Sequence, residues 1–123
     1  MIVHDLSVDA LNKMICYDLA NADHEPESPI GEFEFHGCTA AVACFSGQPP
    51  WERHTGGDEL LLVLAGETEL TVIGQPPRYF GVGEMIVVPS GQWHHNNAPN
   101  SVTIFHLTPT VGNEHSWQQP DPE

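Results

Sequence analysis

From Glu32 onward the chain is written in short β-rich runs: "EFEFHGCTAAVACF", "ELLLVLAG", "ETELTVIG", "RYFGVGEMIVVP" and "SVTIFHLTP". Between them stand "SGQPP", "HTGGD", "AGE", "GQPP" and "PSGQ". Val, Ile, Thr, Phe and Tyr suit a pleated, half-buried surface. Gly interrupts strands because it accepts positive φ, and Pro because it has no N–H to give a neighbouring strand. Many short strands at regular spacing, with such punctuation, fold as a β-sandwich or a barrel. A single all-β domain is therefore expected.

The flanks read differently. In "SVDALNKMICYDLA", Val8, Leu11, Met14 or Ile15, and Leu19 recur near helical spacing, with Ser7 as N-cap and Asp9 in the first turn. One helix packing on the outside of the β domain is expected there. "NADHEPESPIG" is acidic and contains proline, so it reads as a connecting loop. The tail "GNEHSWQQPDPE" is polar with two late prolines and is expected to be loosely ordered. The organisation is thus a helix and acidic loop over 1–31, a β-barrel over 32–111 and a polar tail over 112–123.

Charge narrows the range of partners. Seventeen acids face only Lys13, Arg53 and Arg78, a net charge of −14. Such a surface repels phosphate backbones and anionic lipid, so neither nucleic acid nor membrane is expected as a partner. An anionic ligand would have to be held by backbone N–H groups, neutral donors or a bound metal. No apolar run approaches the length of a membrane-spanning helix. The N-terminus lacks the basic start and apolar stretch of a secretory signal, which favours the cytoplasm. Cys16, Cys38 and Cys44 are too few and too scattered for a disulfide framework. Cys38 and Cys44 would share one face of a strand, as small core residues.

The chemistry gathers in "WERHTGGDELLLVLAG". If "ERH" ends a strand, Glu52 and His54 share a face and Arg53 takes the other. Two glycines then make a tight turn, and Glu59 opens the next strand. Three potential ligands therefore converge around one hairpin, at the mouth of an apolar run. A second segment, "GVGEMIVVPSGQWHHNN", repeats the plan. Its β-branched run stops at Pro89, turns through Ser90-Gly91 and resumes with His94 and His95, one facing in and the other out.

Together these segments resemble the cupin superfamily. The first matches its leading motif as His54, four residues, Glu59, six residues, Gly66. The second matches as Gly83, five residues, Pro89, one residue, Gly91, two residues, His94. The resemblance implies a jelly-roll barrel, or double-stranded β-helix, with a short N-terminal helix and one divalent metal inside. It assigns His54, Glu59 and His94 as metal ligands. Two positions depart from the family pattern: Glu52 stands where a further histidine is usual, and Ala98 where asparagine is usual. Glu52 either completes a set of two nitrogens and two oxygens or turns to solvent. With two carboxylates the site would favour Mn, Fe, Zn or Ni over Cu(I). Without a metal or water, two buried carboxylates would repel at a cost of several kcal/mol.

Further candidates surround this set. His106 alternates with Val102 and Ile104, either lining the cavity as acid, base or hydrogen-bonding group or sitting satisfied in the core. His36 has the same ambiguity, and Trp51 and Trp93 could wall the pocket mouth or simply pack. His4, His24 and His115 are given no role. The resemblance implies a metal-dependent protein acting on a small molecule, as an oxygenase, isomerase or lyase. The alternative is a non-catalytic binding or sensing module. A homodimer is expected on family grounds.

Overall fold

Two long strands carry the architecture. β5 (Glu59–Val72) and β8 (His94–Pro109) run antiparallel, first pairing Leu60–Gly66 with Val102–Leu107 and then Glu69–Val72 with His94–Asn97. Register shifts at Val63/Ala65 and Gly66/Glu69 separate the two stretches, so both strands pass from one sheet to another. Gly66 is the corner. Its φ is +71°, and a Cβ there would collide with the carbonyl oxygen of Ser101. The glycine that closes the leading motif is therefore required by close backbone approach.

The computed structural model describes residues 1–19 and 30–122. On one sheet, β3 (Cys38–Gly47) flanks β8 and β7 (Met85–Val88) flanks β5. β1 (Tyr17–Asp18) and β2 (Ile30–Phe35) both pair with β3, β1 in parallel. On the other sheet β4 (Trp51–His54) pairs with β8 and β9 (Asn113–Ser116), and β6 (Arg78–Gly81) pairs with β5. The result is a double-stranded β-helix with open edges. Phe45, Leu61, Val63, Leu70, Val88, Ala98, Val102 and Ile104 form its buried core. Alternation along β5 puts Glu59 on the same face as Leu61 and Val63, and all three are buried.

Several expectations need correction. The helix α1 spans only Val8–Asn12 and buries no residue, although Ser7 caps it as expected, its Oγ accepting from the Ala10 N–H at 3.2 Å. Met14, Ile15 and Leu19 lie beyond it. A single turn is marginal by itself, and the chain after it is claimed by β3. There Tyr17 pairs with Phe45, and the Leu19 N–H donates to the Ser46 carbonyl. Cys16 and Cys44 form a disulfide with Cα atoms 4.6 Å apart, so Cys44 is not a free core thiol; Cys38 is a free thiol but only half-buried, outside the core.

The run from Glu32 to Phe45 is not one strand but a hairpin. His36 and Gly37 both have positive φ, 49° and 79°, and Phe35 pairs with Cys38 across a two-residue turn. "AGE" is not a break, because β5 runs through it. Nor is the tail loosely ordered over Asn113–Ser116, which form β9. The expected acidic loop lies mostly outside the described residues.

Candidate metal centre

Backbone hydrogen bonds stitch the two motifs together. The Gly91 N–H donates to the His54 carbonyl at 2.8 Å, and the Ser90 N–H donates to Asp58 Oδ1 at 2.8 Å. The turn after Pro89 therefore sits against the turn after His54, while Glu52 pairs with His94 across β4 and β8. Glu59, opening β5, completes the group.

The structure brings the four side chains together. One ligand atom from each of Glu52, His54, Glu59 and His94 lies within 4.8 Å of the others. His94 Nε2 is 3.0 Å from Glu59 Oε1, and His54 Nε2 is 3.3 Å from the same oxygen. Glu52 Oε2 lies 3.4 Å from His54 Nε2, so the carboxylate faces the cluster rather than turning away from it. His54, Glu59 and His94 are 3%, 4% and 2% exposed, and Glu52 is half-buried.

Hydrogen bonds behind the imidazoles fix which nitrogen faces inward. Asn113 Nδ2 donates to the Pro109 carbonyl at 2.8 Å, which turns its Oδ1 toward His54 Nδ1, also at 2.8 Å. His94 Nδ1 lies 3.0 Å from the Gln92 carbonyl. An amide or carbonyl oxygen can only accept, so both Nδ1 atoms carry protons, and Nε2 is the nitrogen of each ring that can meet a cation once the proton it shares with the carboxylates has left. His54 Nε2 is buried without a hydrogen-bond partner. Burial opposes a charged imidazole there, yet Glu52 and Glu59 raise its pKa to about 10. Burial likewise pushes the Glu59 carboxyl up, but His54 and His94 outweigh it and hold the group well below the usual carboxylate range.

This donor set fits a divalent cation. Atoms bound to one ion at about 2.1 Å stand about 3.0–3.4 Å apart in octahedral or tetrahedral arrangements, and the contacts above fall in that range. Two carboxylates balance two positive charges, and the orphaned His54 Nε2 gains the partner it lacks.

A cavity of about 400 Å³ opens over the cluster, and Glu52, His54 and Glu59 line it. Phe45, Leu61 and Ile104 supply apolar wall, and no Lys or Arg is among the described residues that line it. His106 faces this cavity. Burial lowers its pKa against the opposing pull of Glu59, Glu52 and Glu32, which favours the neutral ring.

His36, Trp51 and Trp93 do not line the cavity. His36 is exposed in the β2–β3 turn. Trp51 takes the face of β4 opposite Glu52 and His54 and stacks on His95 with ring centroids 4.2 Å apart. Trp93 lies under the Arg53 guanidinium at 4.7 Å. Sequence reasoning missed Asn113, Thr108 and His115. β9 pairs Asn113 opposite His54 and His115 opposite Glu52, bringing both to the cavity side. The polar alternation "NEHS" was the available signal, obscured by the polarity of its surroundings.

A double-stranded β-helix with two histidines and two glutamates converging beside a cavity defines a class: β-folds whose interior side chains could hold a metal ion. Residues 46–106 match the family model described as the Cupin domain. The chain belongs to the cupin superfamily. Solved structures agree on the fold. A cupin-2 domain containing protein from Shewanella frigidimarina is 22% identical, with a TM-score of 0.62 over 82% of this chain and 89% of that one. The DMSP lyase DddQ from Ruegeria pomeroyi is 24% identical, with a TM-score of 0.60; the match covers 71% of this chain but about half, 47%, of the lyase. Hydroquinone 1,2-dioxygenase PnpCD, in complex with Cd2+ and 4-hydroxybenzonitrile, is 17% identical, with a TM-score of 0.55 over 63% of this chain and 61% of that one. No curated protein matches the chain in sequence.

Proposed function

We propose that the protein is a metal-dependent cupin that acts on a small molecule in the cavity above Glu52, His54, Glu59 and His94. The observation that carries the reading is the pair of imidazoles whose Nδ1–H groups are held from behind, so that two Nε2 atoms and two carboxylates converge. These four residues would hold Mn, Fe, Zn or Ni, and the ion would act as a Lewis acid toward a substrate oxygen. Because the cavity offers no cationic side chain among the described residues, a substrate carboxylate or carbonyl would be held by the ion itself. His106 stands ready as a neutral base, which supports proton abstraction and hence a lyase or isomerase. The lyase and the dioxygenase among the similar structures support small-molecule chemistry in this fold.

The test is metal content. Protein purified without chelators should carry about one divalent ion per chain, and His54→Ala with His94→Ala should lose it. A metal-free wild type would leave a binding module as the better description.

Two wider readings belong with this proposal. Met85 and Val87 are exposed on one face of β7, which supports a homodimer through that face; the mass in solution reads it. Where thiols are kept reduced, as in the cytoplasm, Cys16 and Cys44 would stand as adjacent thiols rather than a bridge.

A further inference from the structure

Glu59 has a second oxygen, and it is not idle. Thr108 Oγ1 lies 2.6 Å from Glu59 Oε2, and His106 Nδ1 lies 2.8 Å from the same hydroxyl oxygen. A threonine hydroxyl has one proton to give. Glu59 Oε1 is already directed at the imidazole nitrogens of His94 and His54, and its carboxylate can only accept. The Thr108 proton therefore goes to Glu59 Oε2, and Oγ1 has only lone pairs left to offer His106. His106 must then place its proton on Nδ1, and Nε2 carries a lone pair. The hydroxyl thus transmits the polarity of the metal-ligand carboxylate to a histidine that is not itself a ligand.

We infer that Thr108 is a positioning residue: it orients the Glu59 carboxylate and locks His106 in the Nδ1–H form, so that Nε2 meets the cavity as a hydrogen-bond acceptor. This inference rests on the function proposed above for the same site and adds a rule for its substrate. The group presented to His106 is a donor, an O–H, an N–H or an acidic C–H, rather than a carbonyl or carboxylate oxygen. Opposite polarity comes from Asn96, another cavity residue. Its Oδ1 takes the Thr68 hydroxyl proton at 3.0 Å, which leaves its Nδ2 to donate. A small hydroxylated carbonyl compound satisfies both.

The test uses nitrogen-15 NMR of the histidine rings in the full chain, metal-free and zinc-loaded, with zinc alone as the probe. Wild-type His106 is expected as the Nδ1–H tautomer in both forms. Thr108→Val keeps the shape but removes the hydroxyl, and should shift His106 toward Nε2–H and weaken zinc binding about tenfold. Thr108→Ser should restore the tautomer and bring zinc affinity to within about threefold of wild type. An Nε2–H His106 in the wild type, or a Thr108→Val protein with unchanged tautomer and zinc affinity, would overturn the inference. A wild type that holds no zinc but keeps the Nδ1–H tautomer would count against the metal reading while upholding this one.

Discussion

Replacing Glu52 by glutamine separates a four-ligand centre from a three-ligand one, because the amide keeps the shape and removes the charge. Glu52 Oε2 lies 3.4 Å from His54 Nε2, with 31% of its side chain exposed. At such a distance a unit charge pair is worth roughly 5 kcal/mol at an effective dielectric constant of 20. Water contact and desolvation of the ion offset about half, leaving roughly 2–3 kcal/mol for metal binding, a 30- to 150-fold weaker Kd. A second effect runs the other way. Glu52 helps to hold a proton on His54, and that proton must leave before Nε2 can bind a cation. Glu52→Gln should therefore release fewer protons per metal bound, so the affinity loss should widen as pH rises and proton competition fades. Competition titration of zinc against a chromophoric chelator at several pH values reads both effects, with circular dichroism confirming the fold. An affinity within threefold of wild type across the range would remove Glu52 from the centre.

Stability of the metal-free protein should peak near pH 6.5. The folded-state pKa of His54 is raised to about 10, so its contribution is complete below its unfolded value and is lost as pH climbs toward 10. Burial lowers His106 and His95, so their contribution falls away as pH drops below 6.5; urea midpoints across pH that rise steadily to pH 9 would contradict this. Asn113→Leu deprives His54 Nδ1 of its acceptor and should weaken zinc binding about 10- to 100-fold, read by the same titration. The disulfide joins residues 28 apart in sequence; Cys16→Ser with Cys44→Ser should cost roughly 3–4 kcal/mol from loop entropy, seen as a fall in Tm of about 12–16 °C. An unchanged Tm under non-reducing conditions would show that the bridge contributes no stability.

What could be read from the sequence was what is local. The distance from His54 to Glu59 spans one hairpin, and that from Gly83 to His94 spans two tight turns, so spacing alone encodes their geometry. The groups that orient these ligands depend on strand pairing. Asn113 meets His54 because β9 returns to β4, and Thr108 meets Glu59 because β8 lies beside β5. No spacing rule connects them. The helical pattern after Ser7 was present but was overridden by pairing with β3, just as the Glu32–Phe45 run was cut by a turn that required positive φ at His36. Trp51 and Trp93 looked like pocket walls because they are adjacent to ligands, yet Trp51 takes the face of β4 opposite Glu52, and Trp93 lies just ahead of β8 under the Arg53 guanidinium.

Anomalous scattering from crystals of protein purified without chelators tests the central claim most directly. One peak is expected per chain, within about 2.0–2.3 Å of His54 Nε2, His94 Nε2 and a Glu59 oxygen. An empty map at that position in protein that has never met a chelator, or a peak bound elsewhere, would contradict the account.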